Sequence, residues 1–119
     1  MRRRFLLLVA GLLVAACGAD ELSLIDDPSA VEADYEYVVP AGAGEAYDRG
    51  EPLDILPAEL EAKVGEVIRI RNDDDRGHIV GPFYVGPEET LVQRFASPGT
   101  FVGSCTVHAS GQFELSVVE

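Results

Sequence analysis

The sequence predicts an all-β domain, a compact Greek-key antiparallel β-sandwich, and three observations support this prediction. Short apolar runs recur at a spacing of about ten residues, and turn residues separate them. Several runs alternate apolar and polar side chains as half-buried strands do, most clearly Val67–Arg71 and Phe113–Val117. No stretch has the length and period of a convincing helix. A core built from about 85 residues is small but sufficient for independent folding.

The elements follow in chain order from Tyr35. Tyr35–Val39 is predicted to be a half-buried strand that Pro40 stops, and 41–52 to be a loop, because three glycines and four charges fall there. Leu53–Leu56 is predicted to be a second strand, and 58–64 an alternating run for which one turn of helix is the alternative. The remaining strands are predicted at Val67–Arg71, Ile79–Val80, Phe83–Val85, Thr90–Phe95, Thr100–Cys105 and Phe113–Val117.

Residues 1–16 are predicted to be a lipoprotein signal peptide rather than part of the fold. Three arginines precede a 12-residue apolar run, and small residues come directly before Cys17. The run is shorter than the roughly 20 residues that span a bilayer as a helix. We expect cleavage before Cys17 and lipid on its sulfur, which would anchor the protein to a bacterial membrane outside the cytoplasm, in the periplasm. Ordinary signal cleavage, with Cys17 incidental, is the alternative.

The chain after the leader is strongly acidic. Removing residues 1–16 takes away three of the nine basic side chains and none of the 21 acidic ones, so the net charge moves from −12 to −15. Residues 17–34 show no sustained period and carry many acids, which predicts a flexible tether before a domain at 35–119. This charge argues against nucleic acid and anionic lipid as partners. It favours solubility or a basic protein partner.

Two histidines and one cysteine are the side chains of the domain that suggest a metal site. Cys105 and His108 lie three residues apart near the C-terminus, and His78 ends the polar loop 72–77. With Cys17 lipidated, Cys105 has no partner for a disulfide, and metal ligation is the best explanation for an exported free thiol. Two imidazoles and a thiol are the ligand set of a mononuclear copper site, provided that the fold brings them together.

The same three side chains are also compatible with zinc or with no metal at all. A zinc site with these ligands and one open position is chemically allowed, but no nearby carboxylate has an obvious role as a base. In isolation, Cys105 could be a small buried hydrophobic residue, and His78 and His108 surface loop residues. Asp73–Asp75 is expected to be a solvated loop, and Asn72 to bond backbone groups near the ligand loops.

Four features in order along residues 60–119 give the sequence a resemblance to a known family. They are Val64-Gly65-Glu66-Val67 before a strand, Asn72 six residues before His78, Pro98-Gly99-Thr100-Phe101, and Cys105-Thr106-Val107-His108 before a terminal strand. In these features the chain resembles the cupredoxins, the small blue-copper proteins. The resemblance implies one copper ion, with His78, Cys105 and His108 as equatorial ligands.

The chain departs from the cupredoxin pattern at the axial position. The usual axial methionine is absent after His108, and the only methionine of the chain is Met1. The side chain of Gln112 and the backbone carbonyl of Gly77 are candidate replacements, and a three-coordinate site is the third alternative.

The resemblance implies one-electron transfer by a copper protein, and with the lipid predicted on Cys17 the sequence predicts a membrane-tethered carrier that is not an enzyme. No acid–base pair or substrate pocket is readable in the sequence. The partner would be a redox protein, whose docking surface could be basic to match the acidic domain. We expect an apolar patch for electron entry around His108, built from Pro82, Phe83, Val107 and Ala109. A lipoprotein that sequesters or delivers copper, and a metal-free interaction module, are the two alternatives.

Overall fold

The chain is described by a computed structural model for residues 30–119, which form eight strands and one short helix. The elements are β1 Tyr35–Val39, α1 Ala43–Asp48, β2 Glu59–Lys63, β3 Val67–Asn72, β4 His78–Val80, β5 Phe83–Val85, β6 Thr90–Arg94, β7 Gly99–Ser104 and β8 Gln112–Val118. The predicted all-β fold is therefore confirmed. The predicted signal peptide, the lipidation site Cys17 and most of the predicted tether lie outside the described residues. In the described part of the chain, no helix has the length and apolar character needed to cross a membrane.

The strands form two three-stranded sheets and a hairpin. Sheet A has the order β1-β3-β6, sheet B has the order β2-β8-β7, and β4 pairs with β5. The pairs β3–β6, β4–β5 and β7–β8 are antiparallel, as expected for the predicted sandwich, whereas the pairs β1–β3 and β2–β8 are parallel. The physical reason is connectivity, because β1 and β2 reach their partners through long crossover segments rather than through hairpin turns.

The core lies between the two sheets. Alternation along β8 places Phe113, Leu115 and Val117 on the buried face of sheet B, and sheet A contributes Ile68 and Ile70 to the same cluster. All five side chains are buried. The period-2 pattern of the sequence thus determines which face of each strand is apolar, and burial of those faces joins the sheets.

Two glycines allow the hairpin to pack closely against sheet B. Gly81 turns the chain between β4 and β5 with φ 55°, a conformation that L side chains rarely adopt. A Cβ added to Gly103 of β7 would lie 2.8 Å from the backbone of Gly81. The backbone of the hairpin therefore rests directly on β7, next to the segment that carries Cys105.

The segment between β1 and β2 differs from its prediction in two ways. A helix, α1, lies within the loop predicted at 41–52, and its residues Ala43 and Ala46 are buried on one face. Six residues are too few to show a helical period in the sequence. The strand predicted at Leu53–Leu56 is wrong as well. Ile55 donates one hydrogen bond to the carbonyl of Val107, at 2.9 Å, but the segment joins no sheet.

Contacts with sheet A begin before the predicted domain boundary at Tyr35. The N–H of Asp34 donates to the carbonyl of Val67 at 2.9 Å, and the N–H of Val67 donates to Asp34 Oδ2 at 2.8 Å. The guanidinium of Arg69 also donates to the carbonyl of Val31. The last residues before β1 are thus attached to β3, while the boundary between tether and domain stays a prediction.

Candidate metal centre

The fold brings His78 next to the segment that follows β7. Cys105 comes directly after β7 and forms an isolated antiparallel bridge with Val80 of β4. The N–H of Thr106 donates to the carbonyl of Ile79 at 3.0 Å. Because the two segments run side by side, Nδ1 of His78 lies 2.8 Å from the Thr106 hydroxyl. Thr106 is the residue that follows the candidate thiol ligand.

The second nitrogen of the His78 ring contacts a buried carboxylate. Nε2 lies 2.8 Å from Oδ2 of Asp74, and both side chains are almost completely buried. The N–H of Gly44 donates to the same oxygen at 2.8 Å, and the N–H of Gly42 donates to Oδ1 at 3.0 Å. The carboxylate therefore connects the start of α1 to the His78 ring.

The hydrogen bonds to Asp74 control its charge. Burial alone would raise the pKa of this carboxyl group, since it disfavours the charged form. Hydrogen bonds from the His78 ring and from the backbone N–H groups of Gly44, Gly42 and Asp75 outweigh burial and hold the pKa of Asp74 well below its usual range. The middle residue of the predicted solvated loop Asp73–Asp75 is thus a buried anion, so the prediction was wrong at Asp74.

Cys105 is a free thiol in the core of the domain. Its side chain is buried and belongs to the same apolar cluster as the inner faces of the sheets. Burial raises the pKa of the thiol, although a hydrogen bond from the N–H of Val107 acts in the opposite direction. A thiol in this environment stays protonated at neutral pH unless a metal ion or another cation stabilises the thiolate.

His108 lies on the loop between β7 and β8 and is partly exposed. The loop is closed by hydrogen bonds from the N–H of Cys105 to the Gly111 carbonyl, at 2.9 Å, and from the N–H of Gly111 to the His108 carbonyl, at 3.0 Å. Nδ1 of His108 accepts the N–H of Ser110 at 3.0 Å and lies 2.7 Å from its hydroxyl. Nε2 lies 3.9 Å from a carboxylate oxygen of Asp54. Both ring nitrogens of His108 therefore face protein groups.

The two candidate axial groups lie in different surroundings. Gln112 is the first residue of β8, and its side chain is exposed, whereas the adjacent Phe113 points into the core. The thiol of Cys105 is on the buried side. Gly77 lies under the phenol of Tyr84, and a Cβ added to Gly77 would be 2.5 Å from Cζ of that ring. The axial roles of Gln112 and Gly77 stay predictions.

The expected apolar patch around His108 is only partly present. Val107 is completely buried and belongs to the core, contrary to the prediction. Phe83 is partly buried, and Pro82 and Ala109 are exposed. The larger exposed apolar side chains near this end are Ile79 and Tyr84, cross-strand partners on the hairpin that are 44% and 64% exposed.

The donors fit copper in their chemistry, but they do not form a cluster. One thiol and two imidazoles are suitable ligands for Cu(I) and Cu(II). Within residues 30–119, however, no group of three or more His, Cys, Asp or Glu side chains is arranged to hold a metal ion. His78 and the Cys105–Thr106 segment are adjacent, whereas the contacts of His108 are with Ser110 and Asp54. The predicted ligand roles of His78, Cys105 and His108 stay predictions.

Asn72 holds the loop that leads to His78, as expected from the sequence. The side chain is fully buried, and Nδ2 lies 2.7 Å from the carbonyl of Arg76, 3.2 Å from that of Val85 and 3.0 Å from that of Gly86. Its Oδ1 accepts the N–H of Asp74 at 3.0 Å. The prediction that Asn72 bonds backbone near the ligand loops is confirmed.

Sequence reasoning missed Asp74 and Thr106. The four-residue spacing from Asp74 to His78 was visible, but three consecutive aspartates read as a solvated run. The donors that identify Asp74 belong to backbone N–H groups about thirty residues earlier in the chain, at the short helix that was not predicted. Thr106 lies inside the ligand stretch, and only the pairing of β4 with this stretch reveals its contact with His78.

Comparison with known proteins gives structural neighbours only. No protein-family model matches the chain. No curated protein matches it either. Among solved structures, a purple cupredoxin from Nitrosopumilus maritimus is 19% identical over 71% of this chain and 100% of its own, with a TM-score of 0.47. Amicyanin from Paracoccus versutus is 16% identical over 76% of this chain and 88% of its own, also with a TM-score of 0.47. A reduced Cu(I) form of an amicyanin variant at pH 4 is 17% identical over 76% and 89%, with a TM-score of 0.45.

These TM-scores are below 0.5, so the assignment of an all-β fold rests on the strands and sheets of the chain itself. The three similar structures named above are of cupredoxins.

Proposed function

We propose that this protein is a cupredoxin-like one-electron carrier with a single copper ion, tethered outside the cytoplasm to a bacterial membrane by lipid on Cys17. One observation carries the proposal. The buried His78 ring has one nitrogen on the Asp74 carboxylate and the other on the hydroxyl of Thr106, the residue that follows the buried Cys105 in the chain. A metal-ligating histidine is commonly oriented in this way by a carboxylate on its second nitrogen.

The residues that would hold copper are His78, Cys105 and His108. When bound, copper would supply a couple between Cu(II) and Cu(I) for transfer of single electrons. On the protein side, Nδ1 of His78 is the nitrogen available for ligation, because Nε2 is bonded to Asp74. The Thr106 hydroxyl would have to leave this nitrogen, and His108 would have to leave Ser110. The alternatives for the axial position are the Gln112 side chain, the Gly77 carbonyl and a three-coordinate site without an axial ligand.

The acidic character of the chain bears on the partner. With a formal net charge of −15 once residues 1–16 are removed, the protein would associate fastest with a redox protein that presents a basic surface. The same charge disfavours nucleic acid as a partner. We propose no enzymatic activity for the domain, and the lipid on Cys17 would confine the carrier to the membrane surface.

Copper loading of the purified full-length protein in detergent tests the proposal. We expect Cu(II) to produce an intense absorption band at about 600 nm from thiolate-to-copper charge transfer. Cys105→Ser should abolish the band. Cys17→Ser, the matched control, should leave the band unchanged. A protein that retains no copper and shows no band would exclude the carrier. Copper that binds without fast reduction and reoxidation would favour sequestration or delivery instead.

A metal-free interaction module is the second candidate, and one observation favours it. Both nitrogens of His78 already have protein partners, and no buried side-chain nitrogen or oxygen among the described residues lacks a hydrogen bond. A fold that satisfies these groups without metal can be stable without metal. The same titration decides, because equal thermal stability with and without Cu(II), together with no band, is the expected result for this candidate.

A further inference from the structure

The Asp74 carboxylate accepts hydrogen bonds at both of its oxygens. Oδ1 receives the N–H of Gly42, while Oδ2 receives the N–H of Gly44 and faces the His78 ring. Backbone N–H groups can only donate, and the same bonds keep Asp74 ionised, so both of its oxygens act only as acceptors. The ring nitrogen that faces Oδ2 must then supply a proton. In the neutral form of His78, this proton can only be on Nε2.

Nδ1 of His78 is then left with a lone pair. Its neighbour is the Thr106 hydroxyl at 2.8 Å, which can donate or accept. Because Nδ1 carries no proton in this tautomer, the Thr106 hydroxyl must be the donor. The direction of the whole chain of hydrogen bonds, from Thr106 to His78 to Asp74, follows from the carboxylate at its end.

The carboxylate is held rigidly enough to impose this direction. A Cβ added to Gly44 would lie 3.0 Å from Oδ2 of Asp74 and 2.6 Å from Cδ of Arg76, so the backbone of α1 approaches as closely as only glycine allows. Arg76 reinforces the same contact by donating to the Gly44 carbonyl at 3.2 Å and by pairing with Asp48. Contacts with the loop 72–77 on one side and with α1 on the other thus hold Asp74 in place.

We propose that Asp74 is the positioning residue of His78, which fixes the ring as the Nε2–H tautomer with the Nδ1 lone pair directed at Thr106. The tautomer is a property of the protein alone, whereas its consequence for copper rests on the proposed function. A ligand ring that is oriented in advance does not have to lose rotational or tautomeric freedom when it binds a metal.

The tautomer can be measured in the full-length protein without metal. Two-bond ¹H–¹⁵N correlation spectra distinguish a protonated from an unprotonated imidazole nitrogen, and His78→Gln assigns the signals. At mildly alkaline pH we expect His78 to show a protonated Nε2 and an unprotonated Nδ1. Asp74→Asn should give a mixture of both tautomers, because one oxygen becomes an NH₂ group that can donate to the ring.

Two further variants separate Asp74 from its surroundings. Thr106→Val removes the donor at Nδ1 and should retain the Nε2–H tautomer. Asp48→Asn loosens α1 through Arg76 without touching the ring, and its spectrum should match that of the wild type. A protonated Nδ1 in the wild type would overturn the proposal. So would a tautomer that changes in Thr106→Val but not in Asp74→Asn. If Asp74→Asn does not fold, the wild-type spectrum still decides, because a protonated Nδ1 there overturns the proposal on its own.

Copper binding is the second readout of the same variants. We expect Asp74→Asn to weaken Cu(II) affinity by about 10–100-fold, the usual range for loss of a carboxylate partner of a ligating histidine. Asp48→Asn should bind as tightly as the wild type. Equal affinity in Asp74→Asn would overturn the consequence for copper. A wild type that binds no copper, but shows the expected tautomers, would refute the carrier and leave the positioning role of Asp74 intact.

Discussion

Asn72 gives the sharpest test of how the loop before His78 is held. The side chain is fully buried at the end of β3, its Nδ2 faces three backbone carbonyls at 2.7–3.2 Å, and its Oδ1 accepts one backbone N–H at 3.0 Å. Asn72→Ala removes at least three hydrogen bonds, since Nδ2 has two hydrogens. At about 1 kcal/mol for each bond, and with further cost for buried groups left unsatisfied, the free energy of unfolding should fall by about 3–5 kcal/mol. The total free energy of unfolding of a domain of this size is only about 5–13 kcal/mol.

Urea unfolding followed by circular dichroism measures this loss, because the chain has no tryptophan for fluorescence. Gln93→Ala is the matched control, since this exposed side chain makes one local bond to the carbonyl of Arg94 and should change stability by less than about 0.5 kcal/mol. Asn72→Asp should be at least as destabilising as Asn72→Ala, because it turns a carboxylate oxygen toward the carbonyls. A loss below about 1 kcal/mol in Asn72→Ala would refute the role of this side chain in holding the loop.

Two other variants test the packing of the hairpin and the titration of a tyrosine. Gly103→Ala should lower the free energy of unfolding by about 1–3 kcal/mol, because its Cβ would lie 2.8 Å from the backbone of Gly81. Gly99→Ala on the same strand meets its nearest atom only at 3.5 Å, and equal thermal unfolding of the two variants would contradict the proposed close packing. Burial, and then the hydrogen bond to Glu66, raise the pKa of Tyr35 above its ordinary value, so its contribution to stability is complete below about pH 10 and is lost as pH rises toward the folded-state pKa. Tyr35→Phe should flatten this fall in the free energy of unfolding above about pH 10, and an unchanged pH profile would show that Tyr35 is not its source.

Most strands could be predicted because their physics is local. The alternation of Val67–Arg71 and Phe113–Val117 reflects one buried and one exposed face, and both became strands of the two sheets. Leu53–Leu56 is a segment for which the local pattern predicted a strand that does not form. Leu56 is buried and its apolar character is real, but burial against the core does not require a partner strand. The parallel pairing of β2 with β8 likewise depends on segments more than fifty residues apart, which no local pattern encodes.

The candidate site was predictable in its donors and not in their arrangement. Spacing and rarity identified His78, Cys105 and His108, because thiol and imidazole side chains are few and their chemistry is specific. The role of Asp74 depends on the fold, since only the middle aspartate of three turns inward to the backbone of α1. A run of acids reads as solvated unless the donors that compensate its burial are known.

The copper carrier and the metal-free module differ in two places, the hydrogen bond between His78 and Thr106 and the loop that carries His108. Releasing Nδ1 of His78 from the Thr106 hydroxyl would cost only about 1 kcal/mol, the net worth of a neutral hydrogen bond. Metal binding by thiolate and imidazole groups is worth far more, about 10 kcal/mol or above in structural zinc sites. The bond to Thr106 is therefore no obstacle to copper. The larger change is required of His108, whose loop is closed by backbone bonds at Gly111 and whose ring is held by Ser110. Whether this protein carries copper thus depends on the freedom of the Cys105–Gly111 loop more than on the buried half of the site.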